Sequence, residues 1–252
     1  MTPSMFEVET ALIGLTGLHR RVPFEKLEVQ GLTKNPSPHA IKLLGEHPDL
    51  RLAVFSDPFR VECRRNLALN SSKQAIHMFS IMTGSETDAP FLCINPNKPA
   101  IMHLMNCEKK YRKYIDWNAV YNNPCDLAQW WVSIKTKSTP KLFQNCVKLP
   151  LREPVEEKET DLYSLAKRED EEAVDVIESF LTGTWETWFD ENSKMRPIVE
   201  REWNTARGNP EFWKFLSGNK NHRIVRLLLT IHFENINWLV LSANPSIFEC
   251  SL

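Results

Sequence analysis

Residues 115–131 read IDWNAVYNNPCDLAQWW, and residues 236–249 read INWLVLSANPSIFE. Both run Ile, Asp or Asn, Trp, then an aliphatic residue three places on, then Asn-Pro three places after that. Trp117 precedes Asn123 by six positions, as Trp238 precedes Asn244 and Trp213 precedes Asn219. A phrase that recurs within one chain is read as a structural repeat before anything else is attempted.

Aligning on the Asn brings out the rest: LTKNPSPHAIKLL (32–44), LALNSSKQAIHMF (67–79), LCINPNKPAIMHL (92–104) and LSGNKNHRIVRLL (216–228). With Asn35, Asn70, Asn95, Asn123, Asn219 and Asn244 as position 0, position −3 is Leu32, Leu67, Leu92, Val120, Leu216 and Leu241. Position +5 is Ala40, Ala75, Ala100, Ala128 and Ile224; position +6 is Ile41, Ile76, Ile101, Gln129 and Val225; position +9 is Leu44, Phe79, Leu104 and Leu228. A weaker match sits at Leu142 and Asn145.

The pattern predicts two short helices per repeat. Asp116 or Asn237 caps the first, which carries the Trp and the −3 aliphatic. Asn35, Asn95, Asn123, Asn219 and Asn244 are expected to cap the second, their side-chain oxygens accepting from first-turn N–H groups. Proline at +1 then suits the first helical position. Positions +5, +6 and +9 share one helix face and form the core. Helices this short are not stable alone, so the repeats must stack. The fold class expected is all-α, an irregular α-solenoid-like stack of short helix pairs with a helical insertion.

The same phrases resemble the short Asn-Pro/Trp helical repeats, of the type I-D-W-x-x-L-S-x-N-P-x-x-x-A-I-x-L-L, found in proteins of giant and other large DNA viruses. The resemblance implies a repeat period of about two dozen residues, no catalytic motif, and a place in a virus particle. Here the Asn positions are spaced 35, 25, 28, 96 and 25 residues apart, so a smooth solenoid is not expected.

The 96-residue gap suggests three regions: residues 1–131 as an N-terminal cap with helical repeats, 132–166 as a proline-rich charged linker, and 167–252 as a C-terminal helical module ending in two repeats. Pro140, Pro150 and Pro154 and the run EPVEEKE mark the linker. SLAKREDEEAVDVIESFLTG (164–183) is amphipathic, with Val174, Ile177, Phe180 and Leu181 in one stripe and Gly183 as its stop. It belongs either to an insertion or to diverged repeats.

Composition excludes several classes. A net charge of −1 gives no global field for nucleic acid or anionic lipid. Eight glycines against sixteen prolines argue against a turn-rich sheet protein and suit helices that stop and restart. No apolar run reaches the roughly 20 residues a membrane span needs, and the N-terminal stretch lacks a basic n-region, so secretion is not expected. Cys63, Cys93, Cys107, Cys125, Cys146 and Cys250 lie far apart and read as reduced thiols rather than a disulfide frame.

No catalytic, metal or cofactor site is expected. His39, His77, His103 and His222 sit at different offsets from the Asn, without carboxylate or cysteine partners at ligand spacing. Asp116 could be a base, but Asn237 fills the equivalent place, which capping allows and base catalysis does not. No G-x-S-x-G, P-loop, G-x-G-x-x-G or H-E-x-x-H occurs. EKKYRKY (108–114) interleaves basic and aromatic residues, yet a solvated turn is the preferred reading over a nucleic-acid contact. Trp130 and Trp131 are adjacent, so one helix face cannot bury both. They, with Tyr111 and Tyr114, are the expected partner-binding residues.

The function expected is a non-catalytic protein-binding scaffold, in its sharpest form a minor-capsid-type component of a large DNA virus particle. The alternative is a host-directed adaptor, and an enzyme ranks third. Other proteins are the expected partners, and the virion or the host cytoplasm the expected location.

Overall fold

The computed structural model describes residues 5–56, 59–82, 85–138, 162–188 and 196–248. Among them are seventeen α-helices and no strand; the sole β-type pairing there is an isolated antiparallel bridge between Leu18 and Phe248. The fold is all-α.

The chain forms two compact units. One comprises Met1–Gly31 with Val155–Leu252, the other Leu32–Pro154. The N-terminal cap expected to join the first repeats therefore groups with the C-terminal part of the chain. Most of the expected linker lies outside the described residues, and both its described ends are helical: 132–138 finish one helix and 162–166 lie in the next.

In chain order, α1 is Met5–Thr16 and α2 is Val29–Lys34. The unit boundary falls inside α2. The 32–154 unit then holds α3 (Pro38–Glu46), α4 (Pro48–Phe55), α5 (Arg60–Leu69), α6 (Lys73–Ile81), α7 (Ala89–Ile94), α8 (Lys98–Asn106), α9 (Glu108–Tyr111), α10 (Trp117–Asn122) and α11 (Asp126–Ser138). The other unit adds α12 (Leu162–Lys167), α13 (Glu171–Thr182), α14 (Arg196–Arg207), α15 (Pro210–Gly218), α16 (His222–Ile231) and α17 (Trp238–Ser242).

Each Asn at position 0 stands between the two helices of a repeat, and the aliphatic template is the core. Leu32, Leu67, Leu92, Val120 and Leu216 at −3, the four alanines and Ile224 at +5, and Leu44, Phe79, Leu104 and Leu228 at +9 are all fully buried.

The role expected of the Asn is corrected. Asn95, Asn123 and Asn219 close the first helix as its C-cap, as does Asn70. The second helix starts three residues later, and its N-cap is Ser37, Asn97 or Asn221. Only Asn244 directly precedes a helix, the short 3-10 turn Pro245–Ile247. Asp116 and Asn237 do cap their helices, accepting from Ala119 N at 3.0 Å and Val240 N at 3.1 Å.

What the Asn does is tie repeats together. Asn70 Nδ2 donates to the carbonyls of Asn35 and Thr33, at 2.7 and 2.9 Å. Asn95 Nδ2 donates to Asn70 and Ala68, and Asn123 Nδ2 to Asn95 and Cys93. In the other unit Asn219 Nδ2 donates to Arg168 and Ala166, and Asn244 Nδ2 to Asn219 and Ser217. The acceptors always sit at positions 0 and −2 of the preceding repeat. These are carbonyls at the end of a helix, which has no partners of its own for them. Each Oδ1 meanwhile accepts the N–H at +2: Ser37, Ser72, Asn97, Cys125, Asn221 or Ser246. Only a side chain with both an acceptor and an NH₂ of that length serves all three bonds.

The ladder also exposes a repeat without an Asn. Arg168 provides the position-0 carbonyl for Asn219, and Ala173, Val174 and Ile177 then fall at +5, +6 and +9, all buried. So 162–182 is a diverged repeat and not an insertion. After Asn123, Gln129 Nε2 donates to the carbonyls of Asn123 and Tyr121, at 2.6 and 3.0 Å. Those are positions 0 and −2 again. The Gln at +6 is thus exposed rather than in the expected core, and it serves those carbonyls from within its own repeat; the weaker match at Leu142 and Asn145 lies outside the described residues.

The N-terminal segment packs on the last repeat of its unit. His19 N donates to Ile247 O, and Glu28 N to Ser242 Oγ. Gly31 is needed there because a Cβ would lie 2.4 Å from the Leu239 carbonyl.

Candidate functional site

The first two Asn positions are 35 residues apart, against 25 for the next pair. The surplus forms α4. Pro48 forbids continuation of α3 past His47, and the same His47, through Nδ1, accepts from Leu50 N at the start of α4. This added helix stands beside α3 and creates a groove of about 630 Å³ against α3 and α6. That volume falls within the roughly 300–1,000 Å³ typical of ligand clefts. Ile41, Met78, Ile81 and Phe55 give it an apolar lining; Lys42 of α3, Arg51 of α4 and His77 of α6 stand around it. His39 lines it too, so two of the histidines expected to be scattered share one groove. The carboxylates of Glu46 and Asp49, on the same two helices, are not among its lining residues.

The groove opens onto a longer face. Position +7 is Lys42, His77, Met102 and Trp130 on α3, α6, α8 and α11, helices that pack in that succession. Lys42 is half-buried, His77 exposed, Met102 47% exposed and Trp130 53% exposed. Ile81 and Ile134, at +11, are 59% and 43% exposed. Bulky apolar side chains thus occupy two of the four +7 places and two of the four +11 places, where Glu46 and Asn106 hold the others.

The four residues expected to bind a partner separate cleanly. Trp130 and Tyr114 are exposed, the latter at 41%. Trp131 is 3% exposed, packed on Trp117 with ring centroids 4.9 Å apart. Tyr111 is 1% exposed, its hydroxyl 3.3 Å from His103 Nε2. Neither Trp131 nor Tyr111 is available to a partner. Burial pushes the Tyr111 hydroxyl up to about 12 and, together with Lys110, holds the His103 imidazole below its usual range. In the basic run, Glu108 pairs with Lys135 of α11 rather than standing free.

Beneath this face Arg64 and Asp88 form a buried ion pair, with Nε 2.5 Å from Oδ2. Asp88 Oδ2 also accepts from Ser85 N in a capping box. Cys63 and Cys93 are buried, and burial raises their thiols to about 11 and about 12, while Cys107 and Cys125 are half-buried. Cys146 and Cys250 lie outside the described residues.

The other unit has a second cleft, of about 400 Å³, bordered by Glu186, Glu200, Arg207, His232 and the buried Trp185 and Trp203. His232 Nε2 donates to the Leu181 carbonyl at 2.9 Å, which fixes the ring. Both carboxylates are exposed, and the Thr182 hydroxyl donates to the Glu178 carbonyl. The cleft offers charge of both signs without a nucleophile held by a base.

Among the described residues no group of three or more His, Cys, Asp or Glu is placed to hold a metal ion, and no helix is long and apolar enough to cross a membrane. Sequence reasoning missed the groove and left the Arg168 repeat as one of two alternatives. The signals for them were the ten surplus residues before Asn70 and the A-V-x-x-I spacing at 173–177. Compared with known proteins, the chain matches no family profile, no curated protein and no solved structure.

Proposed function

We propose that the chain is a non-catalytic helical-repeat scaffold that binds other proteins, serving as a minor-capsid-type structural or assembly component of a large DNA virus particle. The observation that carries the binding role is the unspent face of the 32–154 unit. Its described repeats share a buried core and an amide ladder, yet Met102, Trp130, Ile81 and Ile134 remain exposed. Large apolar and aromatic side chains grouped on a surface mark interaction sites. The viral assignment rests on the resemblance of the repeat phrase.

Quantitative mass spectrometry of gradient-purified particles tests it. A fixed number of copies per particle, retained through salt washing, is the expected result. Recovery only in the soluble fraction of the host cell would replace the particle role with that of an adaptor. The groove favours that second reading to one degree: its volume suits a single inserted segment of a target rather than a broad flat partner.

A further inference from the structure

The groove walled by α3, α4 and α6 calls for a particular kind of occupant. Its lining exposes apolar surface: Ile81 is 59% and Phe55 37% exposed. Met78 beside them is half-buried, and an unbranched thioether adapts to the shape of what it meets. Over this apolar lining stand Lys42 on one wall and Arg51 on the other, with no carboxylate among the lining residues. None of the ion pairs among the described residues involves either cation.

The other unit shows that this arrangement is not forced by the fold. There Arg223 of α16 reaches Asp175, at +7 of the preceding repeat, together with Glu171 and Glu178. That surface neutralises itself; the groove does not.

We propose that the groove receives an acidic amphipathic segment of a partner protein, whose bulky apolar side chains seat among Ile41, Phe55, Met78 and Ile81 while flanking carboxylates meet Lys42 and Arg51. This is the helix-in-groove mode, with anchors at i, i+3 or i+4 and i+7. It deepens the scaffold reading and rests on it. A nucleic-acid strand fits less well, since phosphate backbones call for more cations than two and for a polar floor. Exposed Met102 and Trp130 on the following helices α8 and α11 give an extended segment further apolar surface to meet.

Selection of a displayed random-peptide library on the full chain tests the proposal. The arms are the natural sequence, Lys42→Glu with Arg51→Glu, Met78→Lys, and Trp130→Ala, with thermal melts to verify folding. All four positions are exposed or half-buried, so these variants are expected to fold. Lys42→Gln with Arg51→Gln provides a milder pair should charge reversal unfold the chain.

Enriched peptides should combine Asp or Glu with Leu, Phe or Trp at helical spacing. The tightest of them, synthesised and measured by fluorescence anisotropy, should bind at least tenfold more weakly to the charge-reversed and Met78→Lys chains, and more weakly as salt rises. Peptides without an acidic excess, or with affinity unchanged by the groove variants, would overturn the proposal. Peptides that ignore the groove variants but fail on Trp130→Ala would overturn it while preserving the scaffold reading. Absence of any enrichment would sink both. Displacement of the peptide by a 20-nucleotide single strand of thymidylate would reassign the groove to nucleic acid.

Discussion

On α13, α16 and the segments just before them the surface is held by charge: Arg223 lies among Glu171, Asp175 and Glu178, and Lys220 pairs with Glu169. On α3, α6, α8 and α11 position +7 carries Lys42, His77, Met102 and Trp130, and Lys42 enters none of the ion pairs among the described residues. The interiors share a framework, although one also packs the rings of Phe180, Trp185, Trp203, Phe212 and Trp213 together. Both units place small or β-branched residues at +5 and, Gln129 apart, at +6, and tie successive helix ends with Asn amides. The comparison teaches that the repeat framework and its surface are separable: one set of positions builds the stack, and the complementary set is free to be neutralised or left open.

The shared ladder gives the largest expected effect. Asn95→Asp preserves the oxygen that accepts Asn97 N but loses both donations, to Ala68 O and Asn70 O. Two buried carbonyls are orphaned beside a new carboxylate, so a loss of about 3 kcal/mol or more is expected in chemical denaturation. Asn219→Asp should do the same in the other unit. Tolerance of Asp at either place would return the Asn to a simple capping role, for which Asp serves equally well.

Gly31→Ala breaks only the unit that contains α17. The added Cβ would fall 2.4 Å from the Leu239 carbonyl and 2.6 Å from Ser242 Cβ. Overpacking of this kind costs about 1–3 kcal/mol. A melt with two transitions, only one shifted by the variant, would show that the units unfold separately; one common transition shifted as a whole would show them coupled.

The described thiols report on the opposite unit, since Cys63, Cys93, Cys107 and Cys125 all belong to 32–154. With Cys146 and Cys250 replaced by Ser, Cys107 and Cys125 should react with a thiol reagent at pH 8 well before Cys63 and Cys93. Unfolded thiols ionise near about 8.5, whereas Cys63 and Cys93 ionise at about 11 and about 12 when folded. The unfolded chain therefore sheds these protons first, and the stability of this unit should decline as pH rises above about 8.5. Equal rates for all four thiols would contradict their burial.

The surfaces themselves give the smallest effect. Arg223→Ala should lower the melting temperature slightly at low salt, and the difference should vanish near 1 M salt, where screening reaches about 3 Å. Lys42→Ala should leave the melting temperature unchanged at any salt. A matching loss from Lys42→Ala would mean that its face is also used internally.

The repeat, the all-α class and most of the core were legible along the chain. Periodicity is local: −3, +5, +6 and +9 can be read along one chain, and each such residue except the exposed Gln129 is buried. Asp116 and Asn237 were legible as caps for the same reason, since a cap acts on N–H groups three residues away. What the repeated Asn is for emerges from contacts between repeats. Its Nδ2 partners lie 25–37 residues back in the 32–154 unit and up to 53 back in the other, a separation no local pattern encodes. The same holds for Tyr111 and Trp131: their spacing permitted a surface role, but neighbouring helices cover them. It holds for the groove as well, because ten surplus residues before Asn70 announce an added helix without saying which side chains it will face.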